Sequence, residues 1–236
     1  LVTPFSHDGS VDYVALEKLI DHVINGGVQY IVSLGTTGET PTLSKEEKKA
    51  IITFTVSHVK SRVPVVVGIG GNDTAAVIRD LQEMPLENVA AVLSAAPYYN
   101  KPSQEGLFRH YEAIAAASPR PIILYNVPGR TGRNMEPATS LRIAREVKNV
   151  IGIKEAGNSI PQTMDLLRER PEGFWVVSGD DDLVLPQMAC GMDGVISVAA
   201  NAFPKSFTEM INLCLSGDFK SAVTLNNKLI PSYRLM

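Results

Sequence analysis

Short apolar runs rich in β-branched residues recur along the chain, and segments with helical apolar spacing separate them. Eight runs are predicted strands: 1–4, 30–34, 63–68, 89–95, 121–125, 150–154, 174–178 and 194–198. Their spacing suits one strand and one crossover helix per interval, since such a unit needs about 30 residues. The runs are apolar on both faces, as parallel strands covered by helices must be. Eight consecutive units predict an α/β fold, a (β/α)8 TIM barrel.

Helix start signals fall between these runs. Asp12 and Ser103 are predicted N-caps, and Ser44 with Glu47 forms a predicted capping box. After the last predicted strand come two more amphipathic segments, 207–215 and 219–235, which exceed what a barrel needs. We therefore expect a catalytic barrel over residues 1–203 and an appended, incomplete C-terminal helical region over residues 204–236.

Charge and composition narrow the function classes. With 22 Lys and Arg against 25 Asp and Glu, the net charge is −3, which predicts neither a nucleic-acid partner nor an anionic membrane surface. No apolar run approaches the roughly 20 residues that cross a bilayer. The two cysteines, Cys190 and Cys214, cannot form a disulfide framework, so a cytoplasmic location is expected.

Two weak signals concern cofactors and metals. The glycine-rich stretch 68–71 lacks the spacing of a dinucleotide fingerprint, and no helix opens directly on it. The run Asp180–Asp182 could hold a metal, but a solvated loop or helix cap is the better interpretation. Four scattered histidines and no cysteine pair predict no zinc site. We expect neither a metal nor an organic cofactor.

Lys154 ends a predicted strand that is otherwise apolar, and functional residues of barrels cluster at this end of the strands. One interpretation is a lysine that extends its ammonium to solvent. The other is a nucleophile that forms a Schiff base. An ordinary lysine, with a pKa of about 10.4, is almost fully protonated at neutral pH, but apolar walls lower that pKa and release the amine.

Other candidates end neighbouring strands. Tyr125 could move protons near the amine, or be a rim aromatic whose hydroxyl meets water. Thr36 and Thr37 stand between glycines and offer hydroxyl and N–H groups to a carboxylate, or simply form a turn. Arg130 could bind a carboxylate through two hydrogen bonds, or be a surface charge. The tyrosines at 98–99 could be interface aromatics.

Together these stretches resemble the dihydrodipicolinate synthase family of pyruvate-dependent class I aldolases, over the whole length and in order. The shared motifs are LVTPF at 1–5, GTTGE at 35–39, PYYNKPSQEG at 97–106, YNVPGRTG at 125–132, GIKEA at 152–156, SGDD at 178–181 and GVISV at 194–198. The resemblance implies a barrel enzyme that joins pyruvate to aspartate 4-semialdehyde in lysine and diaminopimelate biosynthesis. It also implies a homo-oligomer, a dimer or a tetramer built from two dimers.

Roles of residues follow from the resemblance. It implies that Lys154 forms the Schiff base with pyruvate. It assigns a proton relay to Tyr125, Thr37 and Tyr99, with Tyr99 reaching into the neighbouring subunit's site. It implies that Arg130 holds the carboxylate of the aldehyde, so that its loss weakens aldehyde binding more than pyruvate binding.

The remaining implied roles concern binding. Thr36 is implied to orient the substrate, and Gly179 and Ile196 to surround pyruvate with main-chain groups. Family members that lysine inhibits bind it with a glutamate and histidines, whose positions hold Ala76, Lys45 and Lys48 in this sequence. Because a carboxylate is missing and positive charges are added, we expect weak or absent inhibition by lysine.

Two alternatives stay open from the sequence. A sister aldolase, such as an N-acetylneuraminate lyase or a 2-keto-3-deoxy sugar-acid aldolase, would share Lys154 and Tyr125. Arg130 and the Thr36–Thr37 pair favour a dicarboxylic product instead. A barrel that only binds keto acids, as a sensor or scaffold, would need none of these residues.

Overall fold

The structure, a computed structural model, describes residues 1–235 of the chain. Within them, seven parallel strands form one curled sheet whose spatial order follows the chain. The strands are β1 (Ile31–Ser33), β2 (Val65–Gly68), β3 (Ala91–Ala95), β4 (Ile122–Asn126), β5 (Val150–Glu155), β6 (Trp175–Ser178) and β7 (Gly194–Val195). Parallel neighbours need crossover connections, and the predicted alternation of strands and helices is confirmed.

Helices fill the intervals and follow the sheet. They are α1 (Tyr13–Asn25), α2 (Lys45–Val59), α3 (Thr74–Glu83), α4 (Gln104–Ala117), α5 (Pro128–Thr131), α6 (Pro137–Glu146), α7 (Ile160–Glu169), α8 (Val184–Ala189), α9 (Pro204–Leu215) and α10 (Phe219–Tyr233). The three predicted caps are confirmed: Asp12 and Ser103 accept hydrogen bonds from backbone N–H groups, and Ser44 with Glu47 forms the capping box. In residues 1–235, none of the helices has the length and apolar character needed to cross a membrane.

Two apolar cores lie on the two faces of the sheet. The larger one packs the helices against the outside of the sheet and includes Leu16, Ile52 and Ile143. The smaller one fills the inside of the curve, where Val66 and Tyr125 pack together with residues of the neighbouring strands. Burial on both faces explains why the strands have no polar side in the sequence. The architecture is that of an α/β barrel.

The first predicted strand is corrected by the structure. Residues 1–4 carry no strand, and Phe5 forms only an isolated antiparallel bridge with Val11. The amino group of Leu1 donates to the carbonyl oxygen of Val32, 2.7 Å away, so the segment does lie beside β1. A strand needs repeated pairing, and Pro4 supplies no N–H for it.

Two helices follow the sheet, as the sequence predicts. Helix α9 begins at Pro204, earlier than predicted, because proline suits the first turn of a helix. Helix α10 packs against α9, with the rings of Phe207 and Tyr233 6.2 Å apart and nearly perpendicular. Met236 lies outside the described residues.

The ends of β1 and β2 approach each other closely at Gly68. A Cβ there would lie 2.1 Å from the carbonyl oxygen of Leu34, which is backbone and cannot move aside. We expect Gly68→Ala to lower the free energy of unfolding by about 1–3 kcal/mol through overpacking. The matched control is Gly129→Ala in α5, where a Cβ would meet nothing within 4 Å. Urea denaturation checks both, and a Gly68→Ala midpoint at the wild-type value would contradict the expectation.

Candidate active site

Lys154 lies near the carboxyl end of β5, at the mouth of the curled sheet. In the strand register it pairs with Tyr125 of β4 and Val177 of β6. The lysine is only 8% exposed. Its Nζ atom lies 4.2 Å from the centroid of the Tyr125 ring. The amine therefore does not extend to solvent, which removes the first of the two interpretations of this residue.

Burial changes the acid–base behaviour of the amine. Desolvation lowers the pKa of Lys154 to about 8; the positive charge of Arg130 also lowers it, while the carboxylate of Asp181 raises it. At a pKa of about 8, roughly a tenth of the side chain is neutral at pH 7, against less than a thousandth for an ordinary lysine. A neutral amine can attack a carbonyl carbon.

Tyr125 places its phenol beside this amine and is itself buried, at 6% exposure. Burial raises the pKa of the phenol, while the hydroxyl of Thr36 and the charge of Arg130 act in the opposite direction. The hydroxyl of Thr36 therefore lies beside the phenol, and the relay role expected for Thr37 stays a prediction. Consecutive residues point in different directions, and the 3₁₀ turn Thr36–Gly38 decides which hydroxyl faces the site.

A cavity of about 340 Å³ opens beside Tyr125. Its lining includes Thr36, Tyr98 and two cations, Lys48 and Arg130, and among the described residues no carboxylate lines it. Lys48 belongs to the positions associated with lysine inhibition. Since both cations face the same space, the cavity suits a ligand that carries carboxylates.

Lys45, which stands at another of these positions, does not line the cavity. Its ammonium lies 2.6 Å from a carboxylate oxygen of Glu83 and 3.3 Å from one of Asp80. The expectation of weak lysine inhibition stays a prediction.

Gly179 follows β6 and touches the lysine. A Cβ at this position would lie 2.7 Å from Cε of Lys154, so a side chain here would displace the amine. The N–H of Gly179 donates to the carbonyl of Glu155, 2.8 Å away, and that of Ile196 donates to Ser178, 2.9 Å away. Because both N–H groups already donate to neighbouring strands, neither is free to bind a ligand.

Arg130 and Tyr99 are the outer members of the predicted set. Arg130 is exposed in α5, and its charge influences both Lys154 and Tyr125. Tyr99 is 87% exposed, with its backbone in the left-handed region at φ 68°. A tyrosine so exposed contributes nothing to its own core. The structure brings Lys154, Tyr125, Thr36 and Arg130 together and leaves Tyr99 outside.

Sequence reasoning missed a buried carboxylate next to the lysine. Glu155 is 1% exposed, and burial raises its pKa. It accepts hydrogen bonds from the side chain of Asn126 at 3.0 and 3.1 Å, from the N–H of Gly157 at 2.6 Å and from the side chain of Gln162 at 3.1 Å. This network ties β4 and β5 to α7. Strand alternation could have revealed it, since Asn126 and Glu155 follow Tyr125 and Lys154 on the opposite face.

The acidic run after β6 divides between two roles. Asp180 stabilises the turn before α8, accepting hydrogen bonds from the N–H groups of Asp182 and Leu183, but α8 has no side-chain cap, so the expected helix cap is not formed. Asp181 is not the solvated residue that the sequence indicated. One of its oxygens accepts from the N–H groups of Val198 and Ala199, at 3.0 and 2.8 Å. The fold turns Asp181 inward. The three consecutive acidic residues therefore did not predict its environment.

One cluster of the described residues has the composition of a metal site. Glu17, Asp21 and His58 meet between α1 and α2, with their ligand atoms within 4.8 Å of one another. However, the same Asp21 oxygen accepts from His58 at 3.0 Å and lies 2.8 Å from Arg62. Because Arg62 already neutralises this carboxylate, the cluster is an ion-pair network on the surface, and the prediction of no metal stays a prediction.

The lowered pKa gives a direct prediction for Lys154. Acylation by acetic anhydride needs the neutral amine, so we expect its labelling to be half-maximal near pH 8. A free lysine derivative labelled in parallel should follow the ordinary pKa of about 10.4. Peptide mapping by mass spectrometry measures both. Labelling of Lys154 that follows the free derivative would show that the amine is fully solvated.

The chain is similar in sequence and structure to known proteins that share one activity. A 4-hydroxy-tetrahydrodipicolinate synthase of Parabacteroides distasonis is 52% identical over 236 residues, which is 100% of this chain and 80% of that protein. The solved structure of the synthase of the same name from Methylacidiphilum fumariolicum SolV superposes with a TM-score of 0.96 at 42% identity, covering 99% of this chain and 78% of that one.

A third relative was solved with a ligand. The chloride-inhibited dihydrodipicolinate synthase from Acinetobacter baumannii, complexed with pyruvate, has a TM-score of 0.95 and 41% identity, covering 99% of this chain and 80% of that one. The model of the dihydrodipicolinate synthetase family matches residues 1–235. With the match to the family model and the identity to curated relatives spanning essentially the whole chain, this protein belongs to the dihydrodipicolinate synthetase family.

Proposed function

We propose that the protein condenses pyruvate with aspartate 4-semialdehyde to give 4-hydroxy-tetrahydrodipicolinate, through a Schiff base on Lys154. One observation carries the proposal: a buried amine with a pKa near 8 lies over the ring of Tyr125. The curated relatives bear the name of a synthase of that product. The enzyme is a lyase of the class I aldolase type, and its reaction belongs to lysine and diaminopimelate biosynthesis.

The lysine supplies the electron sink. Its neutral amine attacks the keto carbon of pyruvate, and water leaves to give a cationic iminium. The iminium draws electrons from the methyl group, which loses a proton and becomes an enamine. The enamine carbon attacks the aldehyde of aspartate semialdehyde. The amine of the new chain then attacks the iminium carbon, which closes the ring and frees Lys154.

Three hydroxyls move the protons of these steps. Tyr125 lies beside the amine, and Thr36 lies beside Tyr125, so Thr36 takes the relay position that the resemblance gave to Thr37. Thr37 then binds the carboxylate of pyruvate, and the backbone of Gly179 and Ile196 surrounds the keto acid. Tyr99 completes the relay in the site of a neighbouring subunit, which is consistent with its exposure in a single chain.

Arg130 binds the carboxylate of the aldehyde at the mouth of the cavity. Two cations and no described carboxylate line that cavity, and both substrates and the product carry carboxylates. A sister aldolase acting on uncharged sugar chains would gain little from this charge. The names of the relatives favour the same choice over an N-acetylneuraminate lyase or a sugar-acid aldolase.

The architecture proposed for this function is a closed eight-stranded barrel over residues 1–203, with a C-terminal helical region over 204–236. Residues 1–4 take the place of the first strand, because Leu1 bonds Val32 of β1. The hydroxyl of Tyr30 also spans the opening between β1 and β7, since it donates to the carbonyl of Val195 at 2.9 Å. Closure keeps water out of the interior around Tyr125.

The assembly proposed is a homo-oligomer, a dimer or a tetramer of two dimers, in the cytoplasm. Tyr98 and Tyr99 are both exposed, at 44% and 87%, next to the mouth of the cavity. Paired aromatics of this kind suit a subunit interface. The partners are small carboxylates, with no nucleic acid and no membrane.

Covalent trapping tests the proposed reaction. Borohydride added with pyruvate should reduce the iminium and leave a stable adduct on Lys154, seen by peptide mapping, and should inactivate the enzyme. Lys154→Ala should form no adduct and lose condensation by at least about a thousandfold. Pyruvate should disappear with aspartate semialdehyde and not with an aldose. Pyruvate that stays unbound from the lysine would overturn the proposal, and consumption with an aldose would favour a sister aldolase.

The two threonines form a matched pair of variants. Thr36→Val should lower kcat by about a hundredfold, because a proton-relay hydroxyl is lost while the shape of the residue is kept. Thr37→Val should mainly raise KM for pyruvate, because a binding contact is lost. Steady-state kinetics with both substrates separate these effects. The opposite pattern would restore Thr37 to the relay.

A further inference from the structure

Asp181 holds a carboxylate oxygen that nothing in the described residues satisfies. Its Oδ2 atom accepts from two backbone N–H groups, those of Val198 and Ala199. Its Oδ1 atom is buried and has no hydrogen-bond partner in residues 1–235. Buried polar atoms without partners are rare because each costs free energy. Asp181 is thus held by two backbone hydrogen bonds and keeps one oxygen without a partner, which suggests a role beyond stabilising the fold.

Asp181 interacts electrostatically with titratable groups from several elements. Its negative charge acts on the amine of Lys154, from β5, and on the phenol of Tyr233, from α10, whose pKa is raised mainly by burial. Asp180 adds a second negative charge next to it in the chain. The positive charge of Arg130, in contrast, repels the ammonium of Lys154. The amino group of Leu1 also faces Lys154.

Asp181 stands two residues after Gly179, where a Cβ would lie 2.7 Å from Cε of Lys154, and three residues after Ser178, which pairs with Glu155. We propose that Asp181 is a positioning residue that holds a fixed negative charge at the same end of β5 as the amine of Lys154 and stabilises the cationic iminium formed with a keto acid. This inference rests on the function proposed above. Forming the iminium takes a neutral amine, a ketone and one proton, and it releases one water molecule. The nitrogen thus gains a positive charge that lasts until the enamine forms. A carboxylate already in place stabilises that charge without reorganising.

The backbone contacts explain how a carboxylate keeps its charge in this position. Burial raises the pKa of Asp181, and the backbone N–H groups of Ala199 and Val198 act in the opposite direction. Both donate to the carboxylate, and such bonds favour its ionised form. The same contacts hold the carboxylate to the backbone that follows β7, so the negative charge keeps its position when substrate enters.

Asp181→Asn gives a signature that a purely structural role would not produce. The asparagine oxygen can still accept from Val198 and Ala199, so the fold is kept, but the charge is gone. The pKa of Lys154 should then fall, and the acid limb of kcat/KM for pyruvate should shift to lower pH by about 0.5–1 unit. At the same time, kcat should fall by about tenfold, since the iminium loses its counter-charge. The amine becomes more available while the enzyme becomes slower.

Two matched variants complete the test. Asp182→Asn removes the charge of the exposed neighbour and should leave the acid limb and kcat near wild type. Asp181→Glu keeps the charge but disturbs the backbone contacts, and it should return the acid limb towards the wild-type position. A limb that is unmoved or moved upward in Asp181→Asn, with the protein folded by circular dichroism, would overturn the proposal. So would an Asp181→Glu profile identical to that of Asp181→Asn.

A measurement without substrate separates this proposal from the function on which it rests. Acylation of Lys154 by acetic anhydride as a function of pH reports the pKa of the amine in wild type and in Asp181→Asn, whether or not pyruvate binds. A shift to lower pH in the variant supports the charge pairing, and no shift contradicts it. The absence of a borohydride adduct in the wild-type enzyme would instead remove the proposed reaction.

Discussion

The burial of one amine is the constraint on which the rest of this structure depends. An ammonium group loses hydration when it is buried. The fold therefore destabilises the charged form of Lys154 and lowers its pKa to about 8. The enclosure has identifiable walls. The ring of Tyr125 covers one side at 4.2 Å, and Gly179 leaves room for the side chain where any Cβ would collide with it. The unfavourable desolvation is offset by the packing of the whole sheet.

The opposite face of the same two strands explains why these walls hold their positions. Tyr125 and Lys154 point inward, and Asn126 and Glu155, the next residues, point outward beneath the helices. There the Glu155 carboxylate gathers donors from β4, from the turn after β5 and from α7. A buried network in which every acceptor is matched rigidifies its surroundings. Lys154 and Tyr125 are thus held in position by hydrogen bonds on the opposite face of their strands.

Much of the fold could be predicted from the sequence, because a parallel sheet under helices leaves a periodic apolar pattern. Seven predicted strands overlap observed ones, and the caps at Asp12, Ser44 and Ser103 bond as their chemistry requires. The first strand failed because an apolar run says nothing about whether neighbours supply repeated pairing. The position of Lys154 at a strand end was predictable for the same periodic reason. Its burial and contacts needed the structure.

The choice between Thr36 and Thr37 shows a different limit. Both residues are equally good relay candidates by chemistry, and only the turn geometry selects the one beside Tyr125. Asp181 is a stronger case, since three consecutive aspartates indicate a solvated loop and the fold instead turns one of them inward. Local sequence specifies the chemical groups available. The direction in which each one points is a tertiary property.

Two charges of opposite sign, those of Arg130 and Asp181, act on the amine of Lys154. The net charge of −3 gives no hint of this, since it averages over the whole surface. Arg130 acts to lower the pKa of Lys154, and Asp181 acts to raise it. In the proposed reaction, the arginine alone would leave more of the amine neutral, but the iminium that follows would be less stable. With the aspartate alone the iminium would be favoured, but the amine would stay protonated. A nucleophile that must be neutral before the reaction and cationic during it needs both influences.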